Sequence, residues 1–460
     1  MMGAAPSTMP SELFDYLRLY LVFSAGLHVI EEYLEWRQLR QDRKKTIPPE
    51  VFSYGILDEK DKEKAYEKFE KARQYNYDKR VFGMVCSWIN FLIGLVMLLR
   101  VKPWVWRTSM ELAEQWNFTD STSTGASREV PEFLVFHFLT HYIDLPLGLV
   151  TSLYSDFVLE EKHGFNKKTM RLFVSDLLKS ELLSTVFTLL LIPVLIHLVH
   201  YAGELFYIYL WAFLQVFGVF MMWLVPNYIM PLFNTYEPIK DAELKTKIED
   251  LAGSLSFPLY KIFQMDGSTR SAHSNAFFFG IWKYRRIVLY DTLLHLPHDA
   301  ILAILGHELG HWKKGHTLWN LVIGSVQLFC VFYIIGMVLY SPESAAIFAS
   351  FGMQHALHSK MMGVMLISML LEPLDTVLDR AMTCLTRVFE FQADRFANVE
   401  LNRGPGLKQG LIKLADDNKS GFNEDPLWAW YNLSHPTLLE RLKAIDADAA
   451  AVELTAKKDK

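Results

Sequence analysis

A pattern able to bind a catalytic metal lies at residues 305–312, where the chain reads LGHELGHW. It contains H-E-x-x-H, formed by His307, Glu308 and His311. On a helix, two histidines four residues apart share one face and lie about 6 Å apart along the axis, so both imidazoles can reach one zinc ion. Glu308 can then take a proton from a water whose pKa the metal lowers. An ordinary amphipathic helix with two histidines is the alternative interpretation.

A catalytic zinc needs a third protein ligand, and Glu390 in RVFEFQADRFA is the best candidate. The segment has a helical pattern, and Asp394 lies one turn after Glu390 on the same face. We expect Glu390 to bind the metal and Asp394 to accept a hydrogen bond from a ligand imidazole, which fixes its tautomer. Because Arg387 and Arg395 flank the acids, a surface helix with salt bridges is the alternative interpretation.

Other histidines compete for a metal. His316 follows His311 by five residues, which on a continuous helix rotates it by about 140° and makes it a poor ligand for the same ion. His137 and His141 have ligand spacing, with Asp144 close by, but no glutamate beside them. A second metal site there is the alternative interpretation, and polar packing inside a membrane bundle is the favoured one.

The elements that must position these residues are mostly membrane helices. Hydrophobic residues make up 51 % of the chain and charged residues 21 %, against about 25 % charged in an average soluble protein. A bilayer-spanning helix needs about 20 mostly apolar residues, and about seven stretches qualify. They lie near 13–34, 81–99, 133–155, 182–200, 205–225, 317–340 and 361–385. The sequence therefore predicts an α-helical integral membrane protein.

Charged residues interrupt some of these stretches. The first carries Arg18 and Glu31, the third carries Asp144, and the last is broken by Glu372 and Pro373. Charges inside a membrane are costly, so these side chains should face a polar interior, which indicates a wet cavity. Interfacial or shorter helices are the alternative interpretation.

Polar stretches divide the chain into regions. Residues 1–225 hold five predicted spans and a charged helical loop at 35–80, residues 317–385 hold two more spans, and residues 386–460 are predicted to form soluble helices and a charged tail. Residues 226–316 form the largest polar block, predicted to be a small α+β metalloprotease region.

Within that block, 239–256 has the pattern of an amphipathic helix. YKIFQMDG and FFFGIWKYRRIVLYD then alternate apolar and polar residues, which predicts a small sheet before the HELGH helix.

Composition also excludes some classes of function. The net charge is −5, and no Lys/Arg stripe stands without nearby acids, so no nucleic-acid partner is expected. The cysteines Cys86, Cys330 and Cys384 are scattered through apolar stretches and predict no disulfide framework. Nothing basic precedes the first apolar stretch, so we expect it to be a membrane anchor and not a signal peptide.

With HELGH and EFQAD both in view, the chain resembles the type I CAAX prenyl proteases, the integral-membrane zinc endopeptidases that process prenylated proteins. HELGH is shared by many metalloproteases, whereas VLEEKHGFN and HSNAFFFG are much more specific. The resemblance covers nearly the whole chain. Its segments are YLEWRQLR (33–40), VLEEKHGFN (158–166), SAHSNAFFFG (271–280), RRIVLYDTLL (285–294), GHELGHWKKGH (306–316), FEFQADRFA (389–397) and SHPTLLERL (434–442).

The resemblance implies roles for the residues that match the family's metal site. His307 and His311 match its zinc histidines, Glu390 its zinc glutamate and Glu308 its catalytic glutamate. One Zn²⁺ per chain is therefore expected.

Four further roles rest on the resemblance alone. Asn275 and Ala276 match edge-strand residues that bind the substrate backbone. His435, in SHP, matches a histidine that can stabilise the oxyanion of the tetrahedral intermediate. Arg441 matches the arginine that follows it, and the resemblance assigns this arginine to substrate binding. From the residues alone, Asn275 would be an ordinary turn residue and His435 an ordinary residue at a helix start.

The resemblance further implies seven membrane helices that enclose a large water-filled chamber, with the zinc site on its inner wall. The implied substrates end in a farnesylated or geranylgeranylated cysteine plus three residues. The enzyme removes those three, and in some lineages it makes a second cut upstream. Some family members carry a long charged insertion where this chain has only HLPHDA (295–300), so regulation through that loop is in doubt.

Two other functions remain as alternatives. A membrane quality-control protease that clears misfolded or translocon-stalled proteins would have the same site but would not depend on the prenyl group. A scaffold or channel with a vestigial site is disfavoured by the intact H-E-x-x-H motif and Glu390.

Charge asymmetry predicts the orientation, because loops near spans carry excess Lys/Arg on the cytosolic side. Basic residues follow the first span at 37–45 and do not precede it, so the N-terminus is predicted to be luminal and the catalytic region cytosolic. The tail at 457–460 resembles a dilysine signal that returns proteins to the endoplasmic reticulum; a solvated charged tail is the alternative. Of the sequons at Asn117, Asn418 and Asn432, only the first is then expected in the lumen.

Overall fold

Apolar helices dominate the computed structural model, which describes residues 15–120, 122–280 and 284–458. The helices in chain order are α1 (Tyr16–Asp42), α2 (Pro49–Ser53), α3 (Lys62–Val96), α4 (Lys102–Gln115), α5 (Gly125–Tyr154), α6 (Met170–Ala202), α7 (Phe206–Leu224), α8 (Met230–Phe233), α9 (Ala242–Ser254), α10 (His298–Lys313), α11 (His316–Leu339), α12 (Glu343–Ser350), α13 (Lys360–Leu370), α14 (Glu372–Arg395), α15 (Gly404–Asp417), α16 (Pro426–Asn432) and α17 (Leu438–Lys458). The strands are β1 (Tyr236–Pro238), β2 (Leu259–Met265), β3 (Ala276–Phe279) and β4 (Arg285–Tyr290).

Four uninterrupted helical stretches in the described residues are long and apolar enough to cross a bilayer. They are 62–115, 125–160, 170–233 and 316–339. The third contains both α6 and α7, each of which coincides with a predicted span. A fifth span is formed if α13 and α14, which meet at 61°, are taken together. The bend falls at Glu372 and Pro373, where the sequence predicts a broken span.

The first predicted span corresponds to α1, although its residues 13–14 lie outside the described part of the chain. This helix is less apolar than the others because charged side chains such as Arg18 and Glu31 interrupt it. With α1 included and α6 and α7 counted separately, about seven helices form the membrane region, as predicted.

The two ends of the helical bundle differ. At one end, α4, α12 and the start of α13 pack around a buried cluster that includes Trp106, Phe206 and Met362. Buried Glu129 of α5 accepts hydrogen bonds from the backbone N–H groups of Lys360 and Met361, and so satisfies the first turn of α13. At the opposite end lie the sheet and α15–α17, so this end holds the predicted metalloprotease region.

The predicted small sheet is present, in the order β1-β2-β4-β3. β2 and β4 run parallel, and β3 is antiparallel to β4 with Ala276 opposite Leu289. One face packs on α9 and α10 through Ile248, Leu289 and Leu305, which are almost fully buried. Residues 281–283 of the segment predicted to form β3 and β4 lie outside the described residues.

Helix α10 is the most deeply buried helix of the catalytic region, because sheet, α14 and α15 all pack on it. Two glycines allow the closest approach. A Cβ on Gly306 would lie 2.9 Å from Leu401, and one on Gly310 would lie 3.1 Å from Phe396 and 3.3 Å from backbone atoms of Ala393. Ala393 belongs to the end of α14, and Phe396 and Leu401 follow it, so the glycines bring α10 against the helix that carries Glu390.

Candidate metal centre and active site

Three predicted ligands from two helices converge on one point. His307 and His311 lie on the same face of α10, and Glu390 reaches them from α14. The Nε2 atoms of the two histidines are 3.2 Å apart. Glu390 brings Oε1 to 3.3 Å from His311 Nε2 and Oε2 to 3.4 Å from His307 Nε2.

These distances fit a tetrahedral metal ion. Zinc–ligand bonds of about 2.0–2.1 Å at tetrahedral angles separate neighbouring ligand atoms by about 3.3 Å. Glu390 is almost fully buried, and its Oε2 makes no hydrogen bond, which is costly unless a cation satisfies it. Burial alone would lower the pKa of His307, but the neighbouring carboxylates of Asp394 and Glu390 raise it to about 9, so the local potential favours a positive charge.

Asp394 orients the first histidine, as the sequence predicts from its spacing. Its Oδ1 lies 2.8 Å from His307 Nδ1, which leaves Nε2 directed at the metal position. Arg441 of α17 donates to both oxygens of Asp394, at 2.6 and 2.8 Å. This bidentate pair fixes the carboxylate of Asp394. The sequence did not predict this contact between Arg441 and Asp394.

His316 orients the second histidine. The expectation that it lies about 140° around the same helix was wrong, because α10 ends at Lys313 and α11 begins at His316 after Gly315 in the left-handed conformation. Its Nδ1 is 3.0 Å from His311 Nδ1, and its Nε2 is 2.9 Å from Gln392 Oε1. A single tautomer satisfies both contacts: His311 Nδ1–H donates to His316, and His316 Nε2–H donates to Gln392.

Glu308 and His435 line the same cavity as the three ligands. This cavity has a volume of about 780 Å³ and is bounded by α7, α11, α14 and β3. His435 has an exposed side chain with Nε2 3.4 Å from Glu390 Oε1, so it borders the metal position from the C-terminal region. Burial raises the pKa of Glu308 above its usual range, which brings it closer to the pH at which a carboxylate base is most effective.

Strand β3 presents its free backbone groups on the outer side of the described sheet. Tyr290 N–H donates to the Asn275 carbonyl at 3.1 Å, which makes this a hydrogen-bonded antiparallel pair. Hydrogen-bonded and non-hydrogen-bonded residue pairs alternate along an antiparallel ladder. Ala276 and Phe278 are therefore in non-hydrogen-bonded pairs, and their N–H and C=O groups point away from β4. The Ala276 N–H meets Asn275 Oδ1 at 2.8 Å. Asn275 and Ala276 do not themselves line the cavity, whereas Phe277, Phe278 and Phe279 do.

The second histidine pair of the sequence does not gather a metal cluster. His141 Nε2 contacts Glu181 at 2.8 Å, and His137 Nε2 contacts the Thr188 hydroxyl at 3.3 Å. Within the described residues, the group of three ligands that could hold a metal is His307, His311 and Glu390. The favoured interpretation of polar packing between α5 and α6 agrees with these contacts.

A histidine pair and a glutamate that fit a metal, beside the buried carboxyl group of Glu308 and an open sheet edge among membrane helices, are the features of a membrane-embedded metalloprotease. Comparisons with known proteins agree. The model of the CAAX prenyl protease N-terminal region, with five membrane helices, matches residues 38–235, and the model of peptidase family M48 matches residues 238–458. The chain therefore belongs to the CAAX prenyl protease group of peptidase family M48 and is a metalloendopeptidase.

Individual relatives match along most of their length. The CAAX prenyl protease 1 homolog of Oryza sativa subsp. japonica is 38 % identical, over 94 % of this chain and 98 % of the relative. The human CAAX prenyl protease 1 homolog is 34 % identical, over 92 % of this chain and 94 % of the relative. The crystal structure of S. mikatae Ste24p superposes with a TM-score of 0.83 at 32 % identity, over 95 % of this chain and all (100 %) of that chain.

Proposed function

We propose that this protein is a zinc-dependent endopeptidase that removes the last three residues from prenylated CAAX proteins, with one Zn²⁺ per chain. The observation that supports this most is the fit of His307, His311 and Glu390 to a tetrahedral ion, at a cavity next to an open sheet edge. The names of the relatives, CAAX prenyl proteases, support prenylated CAAX proteins as the substrate class, and we propose that the prenyl group is farnesyl or geranylgeranyl. The proposal also includes a second cleavage, upstream of the first.

The proposed chemistry divides between the bound metal and three side chains, Glu308, His435 and Arg441. Zinc, when bound, supplies Lewis-acid polarisation and lowers the pKa of a water molecule. Glu308 accepts the proton of the attacking water and delivers it to the leaving amine. His435 stabilises the oxyanion that forms on the scissile carbonyl. Arg441, which we had expected to bind substrate, is engaged with Asp394, and we propose that it acts by fixing the Asp394–His307 pair.

The proposed substrate backbone binds as an added strand next to β3. The outward N–H and C=O groups of Ala276 and Phe278 would pair with it, as in other β-strand additions. Asn275 contributes its side-chain amide, which exchanges its contact with the Ala276 N–H for contacts to the peptide. The substrate carbonyl next to Phe277–Phe279 then lies in the cavity that holds Glu308.

We further propose a multi-pass location in the endoplasmic reticulum membrane, with the catalytic region facing the cytosol, where prenylated proteins are made. The basic residues that follow α1 support this orientation. The alternative function, quality control of misfolded or stalled membrane proteins, has no specific observation in its favour.

The test is cleavage of a farnesylated CAAX peptide beside its unprenylated twin, with the purified protein before and after chelator treatment. We expect release of the C-terminal tripeptide from the farnesylated peptide only, and its loss on chelation with recovery on zinc addition. Equal cleavage of the two peptides would favour the quality-control function, and activity that survives complete removal of metal would refute the zinc mechanism.

A further inference from the structure

One wall of the catalytic cavity is apolar, although the metal ligands line the same space. It is formed by the end of α7, the π-helical turn Val225–Ile229 and the start of α8. The side chains it contributes, which we call the methionine wall, are Met221, Met222, Val225, Pro226 and Met230. Turns of π-helix occur often at functional sites, where they redirect side chains.

The methionine wall contributes accessible apolar side chains to the cavity lining. Met222 exposes 41 % of its surface, and a Cβ on Gly218, one turn earlier on the same lining, would meet no atom within 4 Å. Open apolar surface inside a cavity indicates an apolar ligand. Methionine side chains are flexible and polarisable, so they adapt to ligands of different length.

The proposed substrate supplies such a ligand at the required place. In a prenylated CAAX sequence the isoprenoid is attached to the cysteine that precedes the scissile bond. Ordinary bond lengths then put the first isoprenoid carbon within about 5 Å of the scissile carbonyl. The isoprenoid must therefore start in the cavity that holds the metal ligands. The volume of this cavity, about 780 Å³, lies within the range of about 300–1,000 Å³ for sites that bind drug-sized ligands.

A second pocket continues from this wall. It has a volume of about 340 Å³ and shares Met222, Phe279 and Gly280 with the catalytic cavity. Beyond them it is lined by the aromatic side chains of Trp223, Tyr260 and Tyr284 and by the polar side chains of Asn227 and Arg286. Met222 therefore stands at the junction between the two spaces.

We propose that the methionine wall binds the isoprenoid of the substrate, and that a C20 chain passes Met222 into the aromatic side pocket whereas a C15 chain ends before it. This inference rests on the proposed function and adds to it the residues that select the lipid. It makes Met222 a chain-length determinant and Gly218 the position that leaves room for the chain.

The test compares kcat/KM for three otherwise identical CAAX peptides that carry geranyl (C10), farnesyl (C15) or geranylgeranyl (C20) on the cysteine. Met222→Trp fills the junction, and we expect kcat/KM for the C20 peptide to fall about tenfold relative to the C15 peptide. Gly218→Leu places a side chain on the wall, and we expect kcat/KM for C15 and C20 to fall relative to C10. Gly324→Leu is the control, because Gly324 of α11 also has no atom within 4 Å of an added Cβ and lies outside the cavity lining.

Zinc content and melting temperature are measured on each variant, and Met222→Phe replaces Met222→Trp if the latter fails to fold. The inference is overturned if Met222 and Gly218 variants with full zinc change kcat/KM equally for all three peptides, or leave all three at wild-type values. Failure of the wild-type protein to cleave any of the prenylated peptides would instead refute the proposed function, and the inference with it.

Discussion

At the scale of single residues, Glu308 is the side chain whose change separates chemistry from metal binding. It lies next to His307 in the cavity but is not among the three converging ligands. We therefore expect Glu308→Gln to keep bound zinc and fold normally but to lose about 10²–10⁴-fold in kcat, since the proposed base is gone. Peptide cleavage and metal content of the same preparation decide it. Near-normal turnover would show that another group is the base.

The metal ligands and their supports should respond differently. Glu390→Ala removes a ligand, and we expect loss of both bound metal and activity. Asp394→Asn keeps the ligand set but weakens the orientation of His307, so zinc affinity should fall about 10–100-fold. Competition with a chelator of known affinity measures both changes. Full zinc occupancy in Glu390→Ala would point to another ligand, with His435 the first candidate because of its position beside Glu390.

At the scale of elements, the metal centre depends on how closely α10 packs against α14. Gly310 faces Ala393 and Phe396 at distances that leave no room for a larger side chain. We expect Gly310→Val to push the two helices apart, separate Glu390 from the histidine pair and lower zinc affinity by at least about tenfold, because overpacking is accommodated by backbone shifts. Gly324→Val, in open surroundings on α11, is the matched control. Unchanged zinc affinity in Gly310→Val would mean that the ligands tolerate helix displacement.

At the scale of the whole molecule, a polar cluster joins the N-terminal membrane helices to the C-terminal region. Arg37 of α1 pairs with Asp425, and Arg80 of α3 pairs with Asp42. Glu424 lies in the wall of a pocket between these helices. Burial raises its pKa to about 7, and the negative charge of Asp42 acts in the same direction.

The raised pKa of Glu424 predicts a specific pH dependence of stability. The folded protein favours the protonated carboxyl, so the stabilisation is complete below about pH 4.5 and is lost as pH rises through about 7. We expect Glu424→Gln to remove this loss and to raise the free energy of unfolding at pH 8 by about 3 kcal/mol relative to wild type. The pH dependence of stability is measured as the melting temperature of wild type and Glu424→Gln from pH 5 to 8. Glu59→Gln, on the exposed 58–60 loop, is the control for loss of a carboxylate. Parallel curves for wild type and Glu424→Gln would contradict the assignment.

The orientation of the whole chain is tested by its sequons. Asn117 is exposed in the loop between α4 and α5, at the end of the bundle opposite the metal centre. Asn418 lies at the catalytic end, where its Oδ1 contacts His273 at 3.0 Å, and Asn432 ends α16 nearby. We expect glycosidase treatment and Asn→Gln variants to show that Asn117 is the only one of the three that can carry a glycan. A glycan on Asn418 or Asn432 would reverse the proposed topology.

Much of the molecule follows from local sequence pattern. The apolar stretches, the break at Glu372 and Pro373, the strand-forming segments and the helix that carries HELGH all depend on short-range periodicity and chain-breaking residues, which act wherever a segment lies in the fold. The pairing of Glu390 with Asp394 on one helical face follows from the same periodicity.

What the sequence could not determine depends on contacts between distant segments. The turn at Gly315 moves His316 from the far side of a helix to the ring of His311, and only the packing of α14 brings Gln392 to its other nitrogen. The two helix-facing glycines of α10 could have suggested a close neighbour, but not which one. Arg441 meets Asp394 across 47 residues, and the methionine wall faces the metal ligands from the opposite half of the chain. Such contacts are decided by tertiary packing, because residues far apart in sequence approach one another only when the whole bundle has closed.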